Sequence, residues 1–468
     1  MRRTLYDKLF ERHVVAQLPS GATLLYIDRH VVHEVTSPIA FEAMRLNDRA
    51  PWNTGQIMAV PDHNVPTRGG DEAICDSFSR AQIEALRKNV ADFGIRCFDM
   101  GHSSHGICHI IAPEQGFVLP GMTAVCGDSH TATYGALGVL SMGIGTTEVS
   151  HVLQTQTLVV QKLKNMQVVI DGELTRYVAP KDVILYIIQK IGTKGGTGHA
   201  MEFAGQVFAT MSVQGRLTVS NMAIEAGAKV GMMGVNQKTI DFCTQTPDFQ
   251  ALQPEMQGKA VEHFMGCVSD SDAQFDVVHT FRAEDIPPMT TWGTSPEQAV
   301  AVDGNIPMPD ALPDGKRALA QEALKYMGLQ PGIPVADIPV DYVFFGACTN
   351  GDLESLRSAA EVVRGKKKAA SVERVLVVPG SARVKAAAEK EGLDKVFLEA
   401  GFEWRNSGCS ACLAMNGDFV PAGKHCASTS NRNFTGRQGS GSRTHLCSPV
   451  VAAIAAVKGR FLHPHEVL

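Results

Sequence analysis

The sequence predicts an α/β protein built mainly on parallel sheets. Two observations carry that expectation. Apolar runs with β-branched residues repeatedly end in short polar loops and then pass into helical patterns. Asp, His and Cys gather in the loops that directly follow those runs. Strands alternating with helices build parallel sheets, and such sheets bind ligands beyond the carboxyl ends of their strands.

The elements follow in chain order. TLLYI (23–27) leads into Asp28-Arg29-His30, and QIMAV (56–60) leads into Pro61-Asp62-His63-Asn64. MTAVC (122–126) leads into Gly127-Asp128-Ser129-His130. DYVFFGA leads into Cys348-Thr349-Asn350-Gly351, after which LESLRSAAEVVRG (353–365) has the 3.6-residue period of a helix. ERVLVVPG (373–380) passes into SARVKAAAEKEG (381–392) in the same way. VVAAIAAV (450–457) is too short to span a bilayer and reads as a buried helix. RGKKKAA (364–370) reads as a solvated helix end, where cations suit the dipole.

At ~150 residues per domain, a chain of 468 residues predicts three domains. Boundaries are expected near 165 and 285, giving 1–165, 166–285 and 286–468. The Pro-, Gly-, Asp- and Ser-rich stretch from PPMTTWGTSPEQ (287–298) through NIPMPDALPDG (305–315) reads as the second connector. Hydrophobic residues at 44% and charged residues at 19% allow large cores. A net charge of -5 argues against a nucleic-acid binder and against a polybasic membrane role. The N-terminal MRRTLYDKLFERHVV has no continuous apolar core, and no apolar run approaches ~18 residues. The expected location is the cytoplasm.

Eleven cysteines, an odd number, fit thiols in a reducing compartment better than a disulfide framework. Cys75, Cys97, Cys243, Cys267 and Cys447 read as small packed hydrophobes. Cys409 and Cys412 differ, standing in NSGCSACLAMN (406–416). A Cys-x-x-Cys can be a redox dithiol, half of a zinc site or part of an iron–sulfur cluster. A thioredoxin-type dithiol sits at the strand-to-helix turn of a small βαβ domain, a context lacking here. A structural zinc site needs a second pair, which His425 and Cys426 could nominally supply. A third cysteine, Cys348, lies in FGACTNGD at the end of an apolar strand. Electron-transfer clusters generally take four protein ligands. Three thiolates would leave one iron open as a Lewis acid, which suits hydration chemistry.

The motifs GACTNGDLESLRSAAE, GCSACLAMN and STSNRNFTGRQGSGSRTHLCSP resemble the aconitase superfamily, and within it the large-subunit family of bacterial 3-isopropylmalate dehydratases. LYIDRHVVHEVTSP, LPGMTAVCGDSHTATYGALG, GTGHAMEFAG and SNMAIEAGAK extend the resemblance nearly end to end. It implies three aconitase-like α/β domains around a central [4Fe–4S] site, without the fourth, swivelling domain. It also implies one [4Fe–4S] cluster per subunit with one labile iron, held by Cys348, Cys409 and Cys412. A separate small subunit would supply the missing domain in a heterodimer or higher heteromer. The implied reaction isomerises 2-isopropylmalate and 3-isopropylmalate through 2-isopropylmaleate, in leucine biosynthesis.

That chemistry needs a Lewis acid, a proton donor for the leaving hydroxide, a base and cations for the carboxylates. The resemblance places acid–base groups at Asp62, His63, His109, Asp128, His130 and Glu225. It places substrate contacts at Arg432, Arg437, Asn221 and His33, and partners of the cluster thiolates at Asn350 and Asn431. Read alone, His109 would be a core histidine, Glu225 a helix-surface carboxylate and each arginine half of a surface salt bridge.

The resemblance frays in HSSHGICH (102–109), where Ser103-Ser104-His105 replaces an expected Pro-Tyr-Gln and Cys108 replaces a valine. Ala347 stands for a serine, Ala411 for a methionine, and NGDFVPAGKHC departs from the usual run. These departures keep open a paralogue acting on another 2-alkylmalate, such as 2-methylmalate through citraconate, or a dimethylmalate. A different class, a non-catalytic RNA-binding regulator, is disfavoured by the acidic balance. No nucleic acid or membrane partner is expected.

Overall fold

Strands covered on both faces form the frame of each half of the chain. The computed structural model describes residues 2–74 and 76–468, so the reading of Cys75 lies outside the described residues. The chain divides into two units: Met1–Asn64, Asp76–Glu173 and Lys194–Ala283 make the first, and Val65–Cys75, Leu174–Thr193 and Glu284–Leu468 the second.

The first unit holds a five-stranded parallel sheet of β1 (Arg29–Val32), β2 (Ile57–Ala59), β3 (Arg96–Cys97), β4 (Thr123–Cys126) and β5 (Leu140–Gly143). Its spatial order is β3-β2-β1-β4-β5. Every residue of β2 and β4 is buried, as expected for a parallel sheet covered on both faces. The chain leaves β1 toward β2 and later returns to β4 on the other side. The loops at the carboxyl ends of β1 and β4 therefore diverge, which opens a crevice at the switch point. A second parallel sheet is wound the same way, with β6 (Lys164–Asp171), β7 (His199–Ala204), β8 (Val230–Met233) and β9 (Val277–Arg282) in the order β8-β7-β6-β9. Val14–Gln17, Thr23–Tyr26 and Thr157–Val160 form a small antiparallel sheet.

One element differs from expectation. TLLYI supplies a strand of the antiparallel sheet, and the site-bearing parallel strand is the next segment, Arg29–Val32. Asp28 makes the break. Its carboxylate accepts from Thr123 N at 2.8 Å and lies 2.8 Å from His13 Nε2, which turns the chain between two extended runs. His30 is thus a buried strand residue, and burial lowers its pKa to about 3.

The second unit repeats the winding. Strands β10 (Tyr342–Phe345), β11 (Arg374–Val377), β12 (Glu403–Trp404), β13 (His425–Ser428) and β14 (Arg443–Leu446) are parallel, in the order β12-β11-β10-β13-β14. The predicted helices form at Leu353–Val363 and Ala382–Lys390, capped by Asp352 and Ser381 side chains that accept backbone N–H groups. The apolar run becomes the helix Pro449–Lys458, with Val451 through Ala456 fully buried. The stretch 287–315 is packed: Met289–Thr291 pairs with Ala299–Ala301, and Trp292, Val302 and Ile306 join the core. Among the described residues no helix is long and apolar enough to cross a membrane.

Gly135 marks the tightest approach in the first unit. It lies in the 3₁₀ stretch Ser129–Leu137, and a Cβ there would sit 1.9 Å from the carbonyl oxygen of Gly231 in β8. Neither backbone can yield cheaply. Gly135→Ala should destabilise the chain by about 3 kcal/mol, read as a lower urea midpoint. An unchanged midpoint would contradict this packing.

Candidate active site

In the first unit the segments after β2, β3 and β4 converge on one partly buried carboxylate. Asp128 follows β4 and caps the next turn, its Oδ1 accepting from His130 N at 2.7 Å. The same Oδ1 lies 2.9 Å from His109 Nε2 and 3.4 Å from His130 Nδ1. Oδ2 lies 3.4 Å from His63 Nε2. His63 reaches back through Nδ1 to Asp62 Oδ1 at 2.5 Å, and Asp62 Oδ2 accepts from Cys108 N at 2.9 Å. His130 Nε2 lies 3.0 Å from Glu225 Oε1. Asn221 donates to Thr133 Oγ1 at 2.8 Å, and His33 packs against His63 with ring centroids 4.7 Å apart. The structure thus brings Asp62, His63, His109, Asp128, His130 and Glu225 into one connected network. His33 and Asn221 lie at its edge.

At Asp62, His63, His109 and Asp128 burial opposes the charged form, and the ion pairs overcome it. Against desolvation, Asp62 and Asp128 raise the pKa of His63 well above its ordinary value. His109 is likewise raised, against burial, by Asp128. Both carboxylates are pulled down despite burial, Asp62 chiefly by His63 and Asp128 chiefly by His109. The folded site thus favours the charged pairs at His63 and His109, whose protons can be given to a leaving oxygen. The nearby Cys126 thiol falls to about 5 against burial, through hydrogen bonds with Cys108 and His33. His33 rises to about 9, with burial opposing and the Cys126 hydrogen bond favouring its charge.

Sequence reasoning missed Glu34. Fully buried, it accepts from the backbone N–H groups of Asp62, His63 and Asn64 at 3.0, 2.8 and 2.6 Å, which sets the loop that carries the Asp62–His63 pair. Tyr134 was also missed; its hydroxyl donates to Cys108 O at 3.2 Å and lies 3.4 Å from His109 Nδ1. Glu34 stands directly after the strand-end His33, a position that could have flagged it. Tyr134 had no local signal.

In the second unit Cys348 follows β10 on the short helical turn Ala347–Asn350, and Cys409 and Cys412 flank the 3₁₀ turn Ser410–Cys412. Asn431, just beyond β13, joins the two loops: its Nδ2 donates to Cys348 Sγ at 3.3 Å and its Oδ1 lies 3.7 Å from Cys412 Sγ. Asn350 instead donates to Ser355 Oγ at 3.1 Å. The backbone is strained at these thiols. Ala347, Ser410 and Ala414 all have positive φ, at 66°, 50° and 57°. Non-glycine residues hold that conformation only where the surroundings enforce it.

Asp418 holds the Ser410 turn, and sequence reasoning missed it inside the divergent NGDFV segment. Its carboxylate accepts from Ser410 Oγ at 2.7 Å and from Thr67 Oγ1, and pairs with Arg405 at 3.4 Å. Three thiols on two tight loops of small residues, two of them bonded to a buried amide, fit an iron–sulfur cluster with three protein ligands. Arg437 stacks its guanidinium 5.3 Å over the Phe434 ring, with Nε buried and without a hydrogen-bond partner. Arg432 is half-buried in the same loop. His425 lies 2.8 Å from the ring of His445, and Cys426 is buried in β13, so that pair serves the sheet.

Residues 7–459 match the model of the aconitase family (aconitate hydratase). The crystal structure of aconitase X from Thermococcus kodakaraensis, in its holo-form, is similar at a TM-score of 0.46 and 12% identity, over 88% of this chain and 84% of that one.

The network makes its own pH dependence. His63 and His109 hold protons more tightly folded than unfolded, so their stabilisation is complete below the ordinary histidine pKa of about 6.5 and fades as pH rises through their raised folded values. Asp62 and Asp128 act oppositely, stabilising above the ordinary value of about 3.9 and losing this as pH falls through their lowered values. Asp128→Asn keeps the shape and removes the charge. In ring-labelled NMR spectra the His109 titration should move to lower pH in that variant, because burial is then opposed only by the weaker pull of Cys126 and Asp62. A titration unmoved by the substitution would contradict the assigned pairing.

Proposed function

Because the chain belongs to the aconitase family, we propose that it is the large catalytic subunit of a 3-isopropylmalate dehydratase. It would move a hydroxyl between neighbouring carbons by dehydration and rehydration through 2-isopropylmaleate, in leucine biosynthesis. The observation that carries this reading is one partly buried carboxylate, Asp128, shared by His63, His109 and His130.

The residues divide the work. Cys348, Cys409 and Cys412 would hold a [4Fe–4S] cluster, one per chain, with Asn431 bonded to its thiolates. When bound, that cluster supplies a Lewis-acidic iron lacking a protein ligand, suited to hydroxyl and carboxylate oxygens. The imidazolium groups of His63 and His109 hold the proton that a departing hydroxide needs. Asp62 keeps the His63 ring oriented, and Glu225 does the same for His130. Arg437, with Nε still lacking a partner, and Arg432 grip substrate carboxylates, where a guanidinium offers a bidentate fork. A base for the Cα proton and further cations would come from a separate small subunit, making a heteromer in the cytoplasm.

A second reading, a hydro-lyase for another 2-alkylmalate, is favoured by the divergent segment. His105 is buried with Nε2 2.8 Å from Pro61 O, and Cys108 N holds Asp62. The changed residues thus touch the loop that carries the Asp62–His63 pair.

Anaerobic hydration of 2-isopropylmaleate and citraconate, side by side, separates these readings. With the reconstituted chain and its small partner, isopropylmaleate absorbance should fall faster, and Asp128→Asn should slow that rate ~10²- to 10⁴-fold. A preference for citraconate, or failure on both by the loaded protein, would overturn the isopropylmalate assignment.

A further inference from the structure

Lys181 is the one fully buried lysine among the described residues. It stands in the first turn of the helix Pro180–Ile191. Burying an ammonium costs several kcal/mol unless hydrogen bonds and a compensating charge repay it. The hydrogen bonds point at the cysteine loops. Lys181 Nζ donates to Ser430 O at 2.7 Å and to Thr349 Oγ1 at 3.2 Å, and Thr349 in turn donates to Thr429 O at 2.7 Å.

Both anchor points adjoin thiol-bearing groups. Thr349 follows Cys348 directly, and Ser430 precedes Asn431, whose amide bonds Cys348 and faces Cys412. The ammonium therefore ties the turn after β10 to the loop after β13, across the switch point of the sheet. Cys348, Cys447 and Cys412 are near enough to favour its charge, and burial alone opposes it, lowering its pKa to about 8.

We propose that Lys181 is a positioning residue for the iron–sulfur cluster, fastening the Cys348 and Asn431 loops together and fixing a positive charge beside the thiolates. The inference rests on the cluster reading given above. A cation here offsets the negative charge that three thiolates bring to a low-dielectric site, where such interactions are strongest. It should therefore raise the cluster's reduction potential and slow iron loss.

The test compares Lys181→Met and Lys181→Arg with the wild-type chain after anaerobic reconstitution with ferrous iron and sulfide. Iron and sulfide per chain, iron release to a chelator and the midpoint potential from an EPR-monitored dithionite titration are measured. Lys181→Met should shift the potential to more negative values and release iron ~10- to 100-fold faster. Lys181→Arg should restore the potential, which a merely space-filling role would not require. Should Lys181→Met fail to fold, Thr349→Val removes the hydroxyl that receives the ammonium and must by itself speed iron release. Wild-type potential and iron retention in a folded Lys181→Met, or wild-type retention in Thr349→Val when Lys181→Met does not fold, overturns the role of Lys181 alone. A wild-type chain that takes up no iron and sulfide overturns the cluster reading and this inference together.

Discussion

Charge at Asp128 is the constraint on which the first unit's chemistry depends. A carboxylate partly withdrawn from water needs cations and donors around it to stay ionised. Here His109 and His63 supply charge, and the backbone of His130 supplies a hydrogen bond. Each histidine is in turn fixed from behind: His63 by Asp62, His130 by Glu225, and the Asp62 loop by the three backbone bonds to Glu34. Remove the central charge and the His109 ring loses the main support for its proton, while His63 keeps Asp62. The network is therefore a proton store whose filling is set by two carboxylates.

A single winding rule places both sets of groups. In each unit the first strand of a five-stranded sheet ends in the middle, with later strands added on either side. Neighbouring loops part at that point, and both sets sit there: His33 and Asp128 beyond β1 and β4, Cys348 and Asn431 beyond β10 and β13. The two places differ in how they are held. Ion pairs stiffen the histidine cluster, whereas positive-φ alanines and serine, with Asp418 behind them, stiffen the cysteine loops. The ammonium of Lys181 adds a fastening between the latter pair of loops.

Much of this was legible in the chain, because strand-end loops rich in Asp, His and Cys announce themselves. The strands at 57–59, 123–126, 342–345 and 374–377 and their following helices fall where alternation places them. The β1 strand did not, because Asp28 breaks a continuous apolar pattern through bonds to residues as distant as Thr123. The residues that hold the site were harder still. Glu34, Asp418 and Lys181 look like ordinary surface charges in sequence, and only long-range pairing makes them buried and functional in kind. The interleaved make-up of the second unit, which takes in 65–75 and 174–193, has the same origin.

Under the proposed function, three thiolates and no fourth protein ligand would hold the cluster. Mild oxidation of the anaerobically reconstituted chain, followed by iron counting and EPR, tests it most directly. A four-iron chain should release one iron and yield a paramagnetic three-iron cluster, with full recovery on adding ferrous iron together with a one-electron reductant. A cluster that keeps all four irons under the same treatment, or a chain that binds zinc and no iron, would contradict it.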